Sequence, residues 1–424
     1  AMSTAGAPGT VGKATVERMI THSVAETKKN QSRKFLLIGG AAMIAVLMLF
    51  GAVAGFLVWR NMRSAEQAER AQQEIGGLKS SIAAKEASSA MSPAEIVKQS
   101  GNAVVKLEVS WRLISPNGGL VYHQYLRNRN AQNQPYFPGA PEFIPCYVRT
   151  TDGSIEPYLT YDGNAASRGI GGNHSGSGFV VSSDGFVLTN RHVAATWKTA
   201  YVFDVGGGLL FGPDKRSVIG TIDSAPSDWV PAQSKQELSS GFEGRNDRLE
   251  VVFPNSDGRI AAQLVRASDR HDVALVKLSV PDATPKVEIN DNYDTIQPGD
   301  TAIVLGYPGV SPAVYGIVKS QDVFNRESQI KEIPDPTVSV GNVGRVLRGR
   351  EASGDKGQAV SIMGDAYQLT INSTGGGNSG GPVFDERGRV TGIFYAGKRT
   401  DASITFAVPI RYGKELMSVG GGAR

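Results

Sequence analysis

Ser379 sits in Gly377-Asn-Ser-Gly-Gly-Pro382, at the end of a run that starts at Thr374 and leads into Val383-Phe384. A hydroxyl set among glycines is a poor core residue and a good nucleophile, because a substrate backbone can approach it closely. The glycines also leave backbone N–H groups unshielded. Two such groups aimed at one point, here those of Gly377 and Ser379, would make an oxyanion hole. A serine nucleophile needs a base, and the base needs a third group to orient it. The chain has five histidines, His22, His123, His174, His192 and His271. His192 is the candidate base, in Thr189-Asn-Arg-His-Val-Ala194. Asp272, in Ser268-Asp-Arg-His-Asp-Val-Ala274, is the candidate acid. Asp269 and His271 are its local rivals. His271 and Asp272 are neighbours at a strand start, so they point to opposite faces and should not pair. His271 then reads as an exposed rim residue.

The elements that must hold these groups are strands. Phe179 to Ser182 and Phe186 to Thr189 are apolar runs flanking Asp184-Gly185, a hairpin signal that leaves His192 just past a strand end. Val273 to Leu278 alternates as a half-buried strand does, which puts Asp272 at its start. The chain order of the three candidates is His, Asp, Ser, the order of the chymotrypsin type. Short apolar runs broken by 51 Gly and 21 Pro in 424 residues suit an all-β protein.

On these residues the chain resembles the HtrA/Deg-type trypsin-like serine proteases. Beyond the three motif segments, Met91 to Leu107 is similar to the family's opening helix and first strand. Ile296 to Gly309 resembles the start of its second barrel, and Val390-Thr-Gly-Ile393 with Ile404 to Ile410 its close. The resemblance runs in blocks from residue ~92 to ~415. It implies two six-stranded antiparallel barrels with the site in the cleft between them. It also implies a specificity pocket built from Ser373, Thr374, Gly375 and Gly376 with Phe394, Tyr395, Ala396 and Gly397. The place of the trypsin pocket acid falls on Ser373, which offers no carboxylate, so a small or medium apolar side chain is the expected preference. Asn378 stands where secreted trypsins hold an Asp that pairs with a new N-terminus. Loop ordering, and not zymogen clipping, is therefore the expected control. The relatives commonly form trimers and carry PDZ domains. Only 45 residues follow Ser379, so no PDZ domain is expected.

Three stretches, 113–173, 196–248 and 311–364, read as insertions within a protease domain at 92–424. Loops this long are functional or disordered, and the expectation is that at least one gates the cleft or docks a partner in a membrane assembly. Cys146, the one cysteine, lies in the first of them. With no flanking histidine it does not read as a nucleophile. A single thiol allows no intrachain disulfide, which favours a bacterial envelope protease over a secreted animal trypsin. No Cys/His spacing of a metal site occurs in the sequence, and the expected chemistry needs no cofactor.

Phe35 to Trp59 is 25 residues without a charge, long enough at ~1.5 Å per residue to cross a ~30 Å hydrocarbon layer. Lys28, Lys29, Arg33 and Lys34 precede it and Arg60 and Arg63 follow. The expectation is a single-pass helix at 35–59 with a cytoplasmic basic tail at 1–34. The protease domain would then lie outside a bacterial inner membrane. Residues 1–34 carry the whole net charge of +4, so the rest is neutral and a nucleic-acid partner is not expected. Residues 60–91 are polar and helix-prone. Ala68, Ala71, Ile75, Leu78 and Ile82 repeat at 3-4 spacing, a solvated linker helix or an oligomerising stalk broken at Gly76-Gly77. The function expected is a membrane-anchored serine endopeptidase acting on protein or peptide substrates. The alternative is a catalytically silent protease fold that serves as a scaffold.

Overall fold

The computed structural model describes residues 40, 43, 47–64, 66–77, 79, 90–204, 206–319, 327–349, 364–371, 376–395 and 404–418. The chain separates into two compact units, Ala1–Ser88 and Ser89–Arg424. In the first, residues 47–64 and 66–77 are helical, and the helix runs on through Gly76 and Gly77 where the sequence suggested a break. Its apolar side chains, among them Leu49, Phe50, Phe56 and Trp59, are exposed. Among the described residues no helix is long and apolar enough to cross a membrane. Residues 1–34 and several positions of 35–46 lie outside that set.

The second unit opens with a helix, Pro93–Ser100. Ser92 caps it, its hydroxyl accepting from Glu95 N–H while the Glu95 carboxylate returns to Ser92 N–H at 2.7 Å. Pro93 supplies the fixed φ of a first helical residue. Ile96, its one buried apolar residue, pins the helix to the core.

Two closed barrels follow. Barrel 1 is built from β1 (Val104–Ile114), β2 (Gly171–Val180), β3 (Phe186–Thr189), β4 (Glu243–Val252), β5 (Arg259–Ala267) and β6 (Ala274–Leu278). Its strands close in the order β1-β4-β5-β6-β3-β2. Barrel 2 comprises β7 (Thr301–Gly306), β8 (Thr337–Leu347), β9 (Ala366–Leu369), β10 (Pro382–Phe384), β11 (Arg389–Tyr395) and β12 (Thr405–Pro409). Here β11-β10-β7-β8-β9-β12 closes through the β11–β12 pairing. In β1 the alternation Leu107, Val109, Trp111, Leu113 buries one face, as a strand period of two requires. The hairpin at Asp184-Gly185 forms, with Gly185 at φ +90°. One apolar cluster joins the barrels, since Leu107 and Val187 of barrel 1 share it with Leu305, Phe384 and Ile393 of barrel 2. The two-barrel, all-β architecture expected from the sequence is present.

The insertions differ from the loops expected. Strand β1 continues to Ile114, β2 begins at Gly171 and β4 already at Glu243, so the ends of the first two insertions are barrel strand. What remains of both folds together. Leu209–Phe211 pairs in parallel with Cys146–Val148, in a sheet that also holds Tyr125–Arg127 and Val218–Ile222. One apolar cluster, around Ile144, Val148 and Phe211, lies wholly within this lobe, and a second, around Trp197 and Trp229, joins it to Trp111 of β1. Buried Glu156 ties the two segments, accepting from Ser234 Oγ at 2.6 Å, Lys235 N at 2.9 Å and Gln236 Nε2 at 3.1 Å. Of the third insertion, Tyr315–Lys319 pairs with Ser328–Glu332 as a hairpin, and residues 337–347 are β8. That hairpin reaches barrel 1 through Lys331–Asp257 and Glu332–Lys106, each at 2.7 Å.

Candidate active site

His192 lies on a one-turn helix, Arg191–Ala194, directly after β3. Asn190 ends the extended chain at φ −78°, ψ 152° and is fully buried. Its side-chain amide donates to the Asp272 carbonyl at 2.8 Å. The Arg191 guanidinium donates to the carbonyls of Ser268 and Asp269, both at 2.8 Å. The segment before Asp272 is thus sewn to the turn that carries His192. Asp272 itself grips His192 twice. One carboxylate oxygen accepts the His192 backbone N–H at 2.9 Å and the other meets ring Nδ1 at 2.6 Å. Burial alone would raise the Asp272 carboxyl, but the His192 charge and hydrogen bonds outweigh it and hold it below the usual range. His174 packs behind, Nε2 to the Val193 carbonyl at 2.9 Å.

Ser379 arrives from barrel 2 on the turn before β10 and is 7% exposed. Two backbone features shape that turn. Gly377 has φ +106°, and a Cβ there would lie 2.3 Å from the Tyr307 carbonyl oxygen. Gly380 has φ +90°, with a Cβ that would lie 2.1 Å from the Ser177 carbonyl oxygen. Neither position admits a side chain, which explains the glycines that flag the motif. The peptide planes are fixed by their carbonyls. Gly376 C=O accepts Gly309 N–H at 2.7 Å and Gly377 C=O accepts the Ser177 hydroxyl at 2.7 Å. In a trans peptide the N–H points opposite to its C=O, so Gly377 N–H faces away from Gly309. Among the described residues neither Gly377 N–H nor Ser379 N–H has a protein acceptor.

Both halves meet at β2. Ser177 N–H donates to the Ser379 carbonyl at 2.8 Å. A Cβ added to Gly176 would lie 2.6 Å from Val193 and 3.3 Å from the Ser379 carbonyl oxygen. The residue after His192 and the residue carrying the hydroxyl therefore abut the same point of β2. No hydrogen bond joins Ser379 to His192 among the described residues, a separation common before a substrate draws such groups together.

Around this centre Gly376 is exposed, whereas the Phe394 ring is buried in the barrel 2 core. Phe394 was expected to line a substrate pocket. Its side chain instead fills the core, and its backbone braces the turn, accepting from Gly380 N–H and donating to Gly381 C=O at 2.8 Å each. Tyr395 is half-buried, and burial together with the Asp272 charge pushes its hydroxyl up to about 12. Ser373, Thr374, Gly375, Ala396 and Gly397 lie outside the described residues. His271 is not the exposed rim residue expected. It is half-buried, stacked on Tyr412. Cys146 is buried in the insertion lobe, and burial pushes its thiol up to about 12. Ser177, Asn190 and Tyr307 were missed from sequence. The only signal was the small triplet Gly176-Ser-Gly178, directly before the apolar Phe179-Val180.

A twin-barrel fold with a His–Asp pair on one barrel and a glycine-framed serine on the other defines a serine peptidase. The trypsin-like peptidase domain model matches residues 176–393, just over half of the chain, and the chain belongs to that family. Similar curated proteins are of HtrA/Deg type. The putative serine protease HhoB of Synechocystis sp. is 29% identical over 237 residues, covering 56% of this chain and 38% of the relative. A probable periplasmic serine endoprotease DegP-like from Marinomonas sp. is 29% identical over 253 residues, 58% of this chain and 34% of the relative. Serine protease HTRA1A of Danio rerio is 25% identical over 236 residues, 55% and 32%. The chain thus spans well under half the length of these relatives. Among solved structures, the HtrA-type protease AlgW with decapeptide aligns over 78% of this chain and 69% of its own at 18% identity, TM-score 0.40.

Proposed function

We propose that the chain is a membrane-anchored, HtrA-like serine endopeptidase that cleaves envelope proteins through an acyl-enzyme. The two-point grip of Asp272 on His192, set beside the serine turn, carries this reading. Ser379 Oγ attacks the scissile carbonyl while His192 takes its proton and later gives it to the leaving amine. Asp272 fixes the imidazole tautomer and balances the imidazolium. The N–H groups of Gly377 and Ser379 receive the oxyanion, each worth roughly 100- to 1,000-fold in turnover. The acyl-side pocket takes a small or medium apolar side chain. Residues 35–59 cross the membrane, which accords with the exposed apolar helix surface at Leu49, Phe50, Phe56 and Trp59. The N-terminus is cytoplasmic, the peptidase unit lies outside the inner membrane, and the assembly is a homotrimer.

The full chain is expected to take a fluorophosphonate label and to turn over casein, and Ser379→Ala to do neither. It should float with lipid vesicles, and peptide cleavage after Val or Ala should exceed that after Lys. A vesicle-free supernatant form would sink the anchor, and a strong Lys preference would sink the pocket reading. The second reading, a silent scaffold, is favoured by the insertion lobe with a core of its own around Ile144, Val148 and Phe211. Absence of label in the intact chain selects it.

A further inference from the structure

The bend that presents Asp272 is small and well defined. Val273 N–H returns to the His271 carbonyl at 2.9 Å, a three-residue turn centred on the acid. Barrel 1 holds one side of it through Asn190. The other side is held from the last helix, Arg411–Ser418. The His271 ring lies flat on the Tyr412 ring, centroids 3.4 Å apart and planes 18° from parallel. Tyr412 is itself buried, and its hydroxyl donates to Asp365. The Asp365 carboxylate also receives Gly349 N–H and the Arg411 guanidinium. Burial alone would raise that carboxyl, but the bonds from Tyr412 and Gly349 and the Arg411 charge keep it below the usual range. An anchored anion therefore fixes Tyr412, and Tyr412 covers His271. The helix is also seated tightly on barrel 1. A Cβ at Gly413 would come 2.6 Å from Leu188, in the strand that leads to Asn190 and His192.

We propose that Tyr412 is a positioning residue for the catalytic acid. Clamped by Asp365, it holds the bend at residues 271–273 so that both Asp272 oxygens reach His192. This rests on the reading of His192, Asp272 and Ser379 as a triad. The grip leaves little slack, with both contacts between 2.6 and 2.9 Å. A misplacement of about 1 Å can cost about 100-fold in rate, so loosening the clamp should show in turnover.

The test compares Tyr412→Leu, Tyr412→Phe, His271→Ala and His271→Phe in the full chain. Tyr412→Leu should lower kcat about tenfold or more with KM within about twofold. Tyr412→Phe keeps the ring and loses the anchor, and should fall between. His271→Phe keeps a stack and should retain more kcat than His271→Ala. The downfield proton resonance of the His192–Asp272 hydrogen bond should weaken in step with kcat. Unchanged kcat and resonance in Tyr412→Leu would overturn the assignment. So would losses that track melting temperature alone while the resonance stays put. Should Tyr412→Leu fail to fold, His271→Ala decides, since it leaves the Tyr412–Asp365 bond intact. A wild-type chain without fluorophosphonate label overturns the triad reading and this assignment with it. A labelled wild type with indifferent variants overturns this assignment alone.

Discussion

At Ser177 one residue makes three bonds across the barrel boundary. Its N–H donates to Ser379 C=O at 2.8 Å, its hydroxyl donates to Gly377 C=O at 2.7 Å, and that hydroxyl accepts Tyr307 N–H at 2.9 Å. Removing the hydroxyl frees the carbonyl that orients the Gly377–Asn378 peptide. A buried neutral hydrogen bond contributes ~0.5–1.5 kcal/mol, up to about tenfold in rate if lost only where the oxyanion forms. Ser177→Ala is accordingly expected to lower kcat up to about tenfold while the melting curve keeps its shape. Unaltered kcat would mean that the Gly309 bond to Gly376 C=O orients Gly377 N–H without help from Ser177. Ser379, His192 and Asp272 were legible in the sequence because each carries a local demand, glycines for close approach or a strand end for rigidity. The roles of Ser177 and Tyr412 were not, because they come from partners far along the chain. Ser177 meets Gly377 200 residues away, and nothing in the flanking residues encodes that meeting.

Among the elements, the short hairpin at Asp184-Gly185 could be read directly, since turn chemistry and alternation act within ten residues. The insertion lobe could not. Its sheet depends on a parallel pairing of Leu209 with Cys146, between two segments separated by β2 and β3. Such pairings leave no periodic trace that tells lobe from loop. The lobe has its own titration behaviour. His123 is 3% exposed, ringed by Tyr125, Tyr147 and Phe203, with Nε2 bonded to the Cys146 carbonyl at 2.8 Å. Burial depresses its imidazole from 6.5 to about 4, against the opposing pull of the Cys146 bond. A histidine depressed on folding binds fewer protons than it does unfolded. Its stabilisation is complete above pH ~6.5 and is lost as pH falls toward 4, on the order of 3 kcal/mol over the interval. Urea midpoints should drop between pH 7 and pH 4.5, and His123→Gln, which keeps a donor but does not titrate, should flatten that slope. An equal slope in both proteins would place the acid sensitivity in the depressed carboxyls of Asp272 and Asp365 instead.

For the whole molecule, His192 and Asp272 ride on barrel 1 and Ser379 on barrel 2, so under the proposed mechanism the rate depends on how firmly the barrels are registered. The shared apolar cluster resists separation but is poor at fixing a sliding coordinate, because apolar contact is non-directional. Directional bonds across the seam supply the register. Ser177 N–H to Ser379 C=O is one, and the Tyr307 hydroxyl to Val104 C=O at 2.8 Å is another. Tyr307 is 8% exposed and its hydroxyl is pushed well above the ordinary tyrosine range, by burial first and the Asp335 charge second. It therefore stays a donor throughout the working range. Tyr307→Phe leaves the Val104 carbonyl buried without that donor, a loss of ~1–2 kcal/mol. The denaturation midpoint should fall by the corresponding amount. Turnover should fall further than stability predicts, because a shift along the seam separates His192 from Ser379 before either barrel opens. Measured in sub-denaturing urea, the variant should lose casein cleavage at concentrations where its circular dichroism is still native. Activity and dichroism lost together, at one midpoint, would show that the apolar cluster alone sets the register and that the Tyr307 bond contributes only to the fold.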